Sequence, residues 1–185
     1  MFGLLYPAVL GTFFYSLLPE TLEVVRDPLR VSVLQGTKLM VAFLLIAHFL
    51  VDFYYTQQVA LETKKYPRLI FLLDLAIVLS LFVAYEMVHL DEPAREPEVR
   101  WIAGAMFVSY LLFRAWEYSM REVIGKSVGL AIYETAAAVL FLLIWILWPN
   151  VYALACALIL SAILMYRIGG PVVDRFHEQP AGRRA

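Results

Sequence analysis

One predicted helix carries ionisable side chains whose types and spacing could do chemistry inside a membrane. The apolar stretch 31–56 holds four such groups: Lys38, His48, Asp52 and Tyr55. At about 100° per residue, all four fall within roughly a third of the helix circumference. A charged side chain facing lipid at mid-membrane costs roughly 2.5–3.5 kcal/mol, so this stripe should face other helices. The sequence therefore predicts a polar helix face that is buried in a bundle.

Ionisable groups on the other predicted helices form two layers when their depth is counted in turns from the helix ends. The inner layer lies about one or two turns from one membrane surface, and His48 lies deeper. The candidates of this region are His48, Asp52, Asp74, Arg114, Glu117 and Glu134. A thinner outer layer contains Lys38, Glu86 and His89. Because these residues come from four predicted helices, we expect them to meet inside the bundle.

Two interpretations of the inner layer are open. In the structural one, Arg114 pairs with Asp52 or Asp74 and orients the helices. Glu117 and Glu134 then extend toward lipid headgroups. In the functional one, the same acids line an ion or proton path, which intramembrane carboxyl groups commonly mark. A lone deep histidine is more often a hydrogen-bonded link between helices than a ligand.

A metal site is a third interpretation. His48 and Asp52 at i, i+4 could share one ion, as could Glu86 and His89 at i, i+3. A di-iron bundle repeats the Glu-x-x-His spacing and adds two glutamates at the same depth, and that pattern is absent. The chain also lacks Gly-x-Ser-x-Gly, His-Glu-x-x-His, Cys-x-x-Cys and a glycine-rich phosphate loop. We therefore assign no catalytic residue and no metal ligand, and the sequence identifies no cofactor.

The composition is that of a membrane protein. Of 185 residues, 62% are hydrophobic and 17% charged, whereas a soluble domain is about half apolar and a quarter charged. A net charge of −1 offers no basic surface for nucleic acid. The single cysteine, Cys156, excludes an intramolecular disulfide. The sequence therefore indicates a protein of the lipid bilayer.

Apolar runs and breakers predict an all-α, polytopic integral membrane bundle with five spans, within a range of four to six. Residues 1–30 are an apolar segment, ended by Pro19, with an amphipathic connector. The bundle occupies 31–167, and 168–185 form a polar tail after the Gly169-Gly170-Pro171 stop. The acidic segment 91–100 is predicted to be a solvent loop. The five spans are residues 31–56, 69–90, 101–119, 129–148 and 151–166.

Basic residues predict the orientation. Loops 57–68 and 120–128 and residues 167–185 hold nine of them on one side, against four on the other. By the positive-inside rule, the C-terminus is cytoplasmic in a multi-pass protein of a bacterial-type inner or plasma membrane. If residues 2–18 also cross, the N-terminus lies on the same side.

Small side chains predict close helix packing. Ala153, Ala157 and Ser161 repeat at four-residue intervals, a spacing that lets helix backbones approach, within the chain or between copies. We expect a non-enzymatic membrane protein that acts as an assembling subunit, scaffold or sensor, in a homo-oligomer or with other membrane subunits. The alternative is a small oligomeric ion channel or transporter that uses the charged layer. A membrane enzyme with a metal site is a third possibility.

Overall fold

The structure, a computed structural model, describes residues 2–26, 32–62, 68–88, 96–124 and 128–178. Within these ranges the chain is almost entirely helical and contains no strand. This confirms the predicted all-α bundle. The helices are α1 (Phe2–Arg26), α2 (Val33–Glu62), α3 (Arg68–Glu86), α4 (Glu96–Ile124), α5 (Val128–Ile146) and α6 (Val151–Glu178).

Five of the described helices are long and apolar enough to cross a membrane, namely α1, α2, α3, α5 and α6. The number agrees with the prediction, but the set differs. The apolar stretch of α1, whose crossing the sequence leaves open, qualifies over Pro7–Arg26. The predicted span 101–119 lies in α4, which does not qualify. Arg114 and Glu117 lower its hydropathy, and both lie where α4 meets another helix.

Prolines that were predicted to end helices lie inside them. α1 continues past Pro19 to Arg26, and α6 continues through Gly169-Gly170-Pro171 to Glu178. An internal proline removes one intrahelical hydrogen bond, and the turns on both sides keep theirs. Helices in membrane proteins tolerate this loss. The predicted helix ends at residues 19 and 167–171 are therefore wrong. Residues 179–185 of the predicted tail lie outside the described residues.

The predicted solvent loop 91–100 is wrong in its second half, because α4 already begins at Glu96. Pro97 occupies the first turn, where its missing N–H has no intrahelical partner to lose. Glu98 in that turn also complements the positive end of the helix dipole. This extra turn places Glu98 within the bundle.

Polar side chains define the starts of two helices. The Ser32 hydroxyl accepts a hydrogen bond from the backbone N–H of Gln35 at 3.1 Å, at the start of α2. Asn150 Oδ1 accepts from the N–H groups of Tyr152 and Ala153 at 2.9 and 3.3 Å, at the start of α6. Both satisfy N–H groups that lack an intrahelical partner. The Pro149-Asn150 break between α5 and α6 thus lies where the sequence predicts it.

Five helices close into a ring. In chain order α2 packs on α3, α3 on α4, α4 on α5 and α5 on α6, and α6 returns to α2. α4 also meets α6 across the ring. Inside, Tyr110 stacks on Phe141 with ring centroids 5.6 Å apart. The buried polar and charged side chains of these five helices lie on their inward faces.

α1 packs outside the ring, against α2 and α3. Its buried contact is made by Phe13 and Leu17, and the Phe13 ring lies 5.2 Å from that of Phe49 and 4.2 Å from that of Tyr85, centroid to centroid. Only 12% of its most apolar stretch is buried. α1 is therefore the least integrated helix of the bundle.

Candidate functional site

His48 joins α2 to α6. Its Nδ1 lies 2.7 Å from the carbonyl oxygen of Leu44, and because a carbonyl can only accept, Nδ1 carries the proton. Nε2 lies 2.8 Å from Ser161 Oγ, so a neutral imidazole accepts the serine proton there. The same hydroxyl lies 3.0 Å from the carbonyl oxygen of Leu158. His48 and Ser161 are buried, so this hydrogen bond is shielded from water.

Two tyrosines extend this contact to α4 and α5. Tyr133 donates to the carbonyl oxygen of Ser161 at 2.8 Å. Tyr110 Oη lies 2.7 Å from Tyr133 Oη, and Tyr110 is the donor because the Tyr133 proton is already used. Tyr110, Tyr133, Ser161 and His48 form what we call the central hydrogen-bond chain. A backbone carbonyl oxygen accepts a hydrogen bond but has no proton to donate, so the Ser161 carbonyl interrupts any proton transfer from the tyrosines to His48. The central hydrogen-bond chain therefore links the helices and does not conduct protons.

Arg114 holds two glutamates between α4 and α5. Its Nη1 contacts Glu117 Oε2 one turn along α4 and lies 4.0 Å from Glu134 Oε2 on α5. Both glutamates are buried, whereas 40% of the Arg114 side chain is exposed. The predicted extension of Glu117 and Glu134 to headgroups is therefore wrong, because the guanidinium offers a closer partner. Within the described chain Arg114 pairs with neither Asp52 nor Asp74, so that predicted pairing is also wrong.

The two aspartates lie at the interface of α2 and α3. Asp52 and Asp74 are 3% and 0% exposed, and the charge of Asp52 acts on the Asp74 carboxyl group. The Thr56 hydroxyl, one turn after Asp52, donates to Asp74 Oδ1 at 3.5 Å. From α4 the indole N–H of Trp116 faces the Asp74 carboxyl group, and neither Trp116 Nε1 nor Asp74 Oδ2 has another hydrogen-bond partner among the described residues. We call these four residues the aspartate site.

The outer layer differs from the prediction. Lys38 Nζ on α2 lies 3.4 Å from Glu98 Oε2 on α4, and both side chains are largely buried. Glu86, which was predicted to share this layer, is exposed at the end of α3, and His89 lies outside the described residues. The sequence does not identify Glu98 as part of this layer, because the proline-rich segment 91–100 predicts a loop. Proline in the first turn of a helix was the available signal.

The small-residue stripe of α6 is used within the chain. Ala157 and Ser161 are buried and Ala153 is half-buried. Ser161 meets α2 through His48 and α5 through Tyr133. The stripe therefore lies on the inward side of α6, where small side chains permit close approach of neighbouring helices.

Two further polar contacts join helix pairs. The hydroxyl groups of Ser80 on α3 and Ser109 on α4 are 2.6 Å apart. Tyr85 Oη on α3 donates to the carbonyl oxygen of Phe13 at 2.9 Å and lies 2.5 Å from Ser16 Oγ on α1. The spacing of residues along one helix does not predict such pairs, because the two partners of each pair lie on different helices.

Among the described residues, no three His, Cys, Asp or Glu side chains converge in an arrangement that could hold a metal ion. Comparison of the chain with protein families, with curated protein sequences and with solved structures finds no match. The geometry of the buried polar groups is therefore the basis for inferring a function.

Proposed function

We propose that the chain is a non-enzymatic, multi-pass membrane protein that acts as an assembling subunit or scaffold, in a homo-oligomer or a larger membrane complex. The observation that best supports this proposal is that buried polar side chains are hydrogen-bonded between helices. The central hydrogen-bond chain links α2, α4, α5 and α6, and it ends where His48 Nδ1 bonds to the backbone carbonyl oxygen of Leu44. Side chains engaged in this way present no activated base or nucleophile to a substrate.

The outer surface of α1 supplies a face on which such a protein can assemble. Phe14, Leu18, Leu22 and Val25 are exposed and fall within about a quarter of the helix circumference. Lipid tails solvate apolar side chains well, so this face is compatible with lipid and with a partner helix alike. The weak attachment of α1 to the ring leaves the face open to either.

The proposed topology has six crossings. α4 packs along both α3 and α5 and connects them in sequence, so it crosses with them despite its lower hydropathy. Its Arg114 and Glu117 then meet Glu134 rather than lipid. With α1 crossing as well, both termini lie in the cytoplasm, as the excess of basic residues favours. The membrane would be a bacterial-type inner membrane or a plasma membrane.

Copy number tests the assembly proposal. The full chain, expressed at native level and extracted in a mild detergent, should run as an oligomer or with co-purifying chains in native mass spectrometry. Replacing Leu18 on the exposed face of α1 by serine should shift the distribution toward the monomer. Replacing Leu160, exposed on α6, by serine is the matched control. A wild-type chain that is monomeric in several detergents and in nanodiscs would contradict the proposal.

A small ion channel or transporter is the second candidate. The buried carboxyl groups of Asp52 and Asp74 favour it, because intramembrane acids commonly mark ion paths. Liposomes that contain the purified chain and an entrapped pH dye, driven by a potassium diffusion potential, test for proton flux. Flux that Asp74→Asn abolishes would support conduction. Dye signals equal to those of protein-free liposomes would contradict it.

A further inference from the structure

Two buried glutamates share one arginine where α4 packs on α5. Arg114 Nη1 contacts Glu117 Oε2, and the same nitrogen lies 4.0 Å from Glu134 Oε2. The side chains of Glu117 and Glu134 are only 5% and 6% exposed. One guanidinium balances one of the two carboxylate charges, so the cluster keeps one negative charge in excess if both acids are ionised. A buried charge without compensation is strongly disfavoured.

The uncompensated charge falls on Glu134. Its Oε2 is buried and has no hydrogen-bond partner among the described residues. The 4.0 Å from Arg114 Nη1 is too long for a hydrogen bond, because N–H···O bonds are about 2.7–3.2 Å long. The carboxyl group beside it is that of Glu117, whose Oε2 approaches the same guanidinium nitrogen. Two carboxylates cannot hydrogen-bond to each other, but a single added proton lets one of them donate to the other.

Two tyrosines near the pair donate their protons elsewhere. Tyr110 on α4 and Tyr133 on α5 face Glu134. The Tyr110 hydroxyl donates to Tyr133, and the Tyr133 hydroxyl donates to the carbonyl oxygen of Ser161. Neither hydroxyl is therefore available to Glu134 Oε2.

The other helices that pack on α4 and α5 bring no compensating charge to the pair. On α3, Asp74 faces Trp116, and Arg68 and Glu86 are exposed at the two ends of the helix. On α6, the titratable side chains that the structure describes are all exposed, namely Tyr152, Cys156, Tyr166 and Arg167. The missing positive charge therefore has to come from solution.

We propose that Glu117 and Glu134 together bind one proton in front of the Arg114 guanidinium, and that loss of this proton weakens the contact of α4 with α5. With the proton the cluster is neutral, whereas without it two like charges oppose each other at a buried position. Water can deliver the proton, because 40% of the Arg114 side chain is exposed. The inference is independent of the proposed assembly, since a monomer and an oligomer contain the same pair.

The sign of the pH effect follows from proton counting. A glutamate of the unfolded chain in water loses its proton at about pH 4.3. Above that pH the folded chain, with the pair occupied, binds one proton more than the unfolded chain. The stability of the bundle should therefore fall as the pH rises, until the pair has released its proton.

The test is the thermal unfolding midpoint of the full chain in one detergent, measured between about pH 6 and about pH 9. We expect the wild-type midpoint to fall by about 3–5 °C per pH unit while the pair holds its proton. Glu134→Gln replaces the shared proton by an amide N–H that can donate to Glu117, so the slope should become smaller by this amount. Glu86→Gln, which changes an exposed acid on α3, is the control and should keep the wild-type slope.

Glu117→Gln is the second variant, because Arg114 can then pair with Glu134 and the amide supplies the N–H from the other side. A smaller slope in either glutamine variant supports the shared proton. If Arg114 instead bridges two ionised carboxylates, neither variant changes the slope, and that result overturns the proposal, as does a wild-type midpoint that does not fall with pH.

The proposal also requires that at least one of the two positions accepts a neutral side chain of the same shape. Failure of both glutamine variants to fold would therefore overturn it as well. All these outcomes leave the copy number of the wild type unchanged, so failure here is distinguishable from failure of the assembly proposal.

Discussion

The His48 imidazole and the Ser161 hydroxyl are hydrogen-bonded at 2.8 Å although 113 positions separate them in the chain. The contact joins the first and last helices of the five-membered ring. It also fixes the rotation of both helices, because a turn of either one would expose a polar group to apolar surroundings.

Removing either partner of this bond should destabilise the bundle. Ser161→Ala leaves His48 Nε2 buried without a partner, and an unsatisfied buried group costs about 1–3 kcal/mol. His48→Leu should have a similar effect, and the double variant should cost less than the sum by roughly 0.5–1.5 kcal/mol. Reversible unfolding in mixed micelles measures these values.

The control for this cycle is Ser119→Ala, an exposed serine of α4 that bonds only to the carbonyl oxygen of Ala115 on its own helix. Its effect should stay within about 0.5 kcal/mol. Strict additivity of the Ser161 and His48 substitutions would show that the hydrogen bond contributes nothing of its own.

Arg114→Leu should destabilise because it leaves Glu117 and Glu134 buried together without a cation. Breaking a fully buried ion pair costs roughly 3–5 kcal/mol, and the partial exposure of Arg114 places our expectation at about 1–3 kcal/mol. Glu117→Gln combined with Glu134→Gln should restore much of the loss in the leucine variant. Chemical unfolding of the wild type, Arg114→Leu and the triple variant in one detergent is the measurement.

Arg121→Leu, on the same helix, is the comparison for that series. Arg121 is exposed and its guanidinium lies over the Tyr118 ring at 4.4 Å, a contact worth about 0.5–1 kcal/mol. Equal losses for the two arginine variants would contradict a special role for Arg114.

Gly104 should tolerate alanine but not leucine. A Cβ atom there would lie 3.3 Å from the Trp145 ring, which is partly exposed and can shift by the few tenths of an ångström required. Alanine gains about 1 kcal/mol of helix propensity, so Gly104→Ala should be neutral or stabilising. Gly104→Leu should lose about 1–3 kcal/mol through overpacking. Thermal unfolding followed by tryptophan fluorescence reports both effects.

Gly36→Leu is the matched control, because nothing lies within 4 Å of a Cβ atom at that position. A loss at Gly36 as large as that at Gly104 would mean that leucine itself, and not the indole contact, is responsible.

Reporter fusions should show opposite sides for Pro93 and Gln179, with Gln179 in the cytoplasm. This expectation follows from the excess of basic residues in the segments that share the side of the C-terminus. A fusion at the N-terminus should match Gln179 if α1 crosses. Periplasmic-type activity at both Pro93 and Gln179 would rule out the proposed topology.

Helical periodicity identifies the inward sides of individual helices. The stripe of Lys38, His48 and Asp52 is buried, because charge and apolar solvent alone decide which side of α2 faces lipid. The partners of that stripe could not be found in the same way. Ser161 and Glu98 became partners of His48 and Lys38 through the order and rotation of helices around the ring, which are properties of several segments at once.

Breaker residues were a weaker guide than periodicity. Pro19 and Pro171 lie inside helices, and Pro97 lies in the first turn of one. The local cost of proline is one hydrogen bond and some steric strain, which a long helix can absorb when its other turns are well packed. Sequence rules derived from helix ends therefore misplaced the boundaries of α1, α4 and α6.

Because α6 closes the ring, contacts of α2 with α6 can form only after the last helix has been synthesised. Helices enter the membrane in the order of synthesis, so α2 arrives long before α6. Until Ser161 is translated, the His48 ring lacks its partner from α6 and can be satisfied only by water, by lipid headgroups or by a membrane chaperone. A chain truncated before residue 161 therefore leaves Nε2 of His48 without its partner from α6.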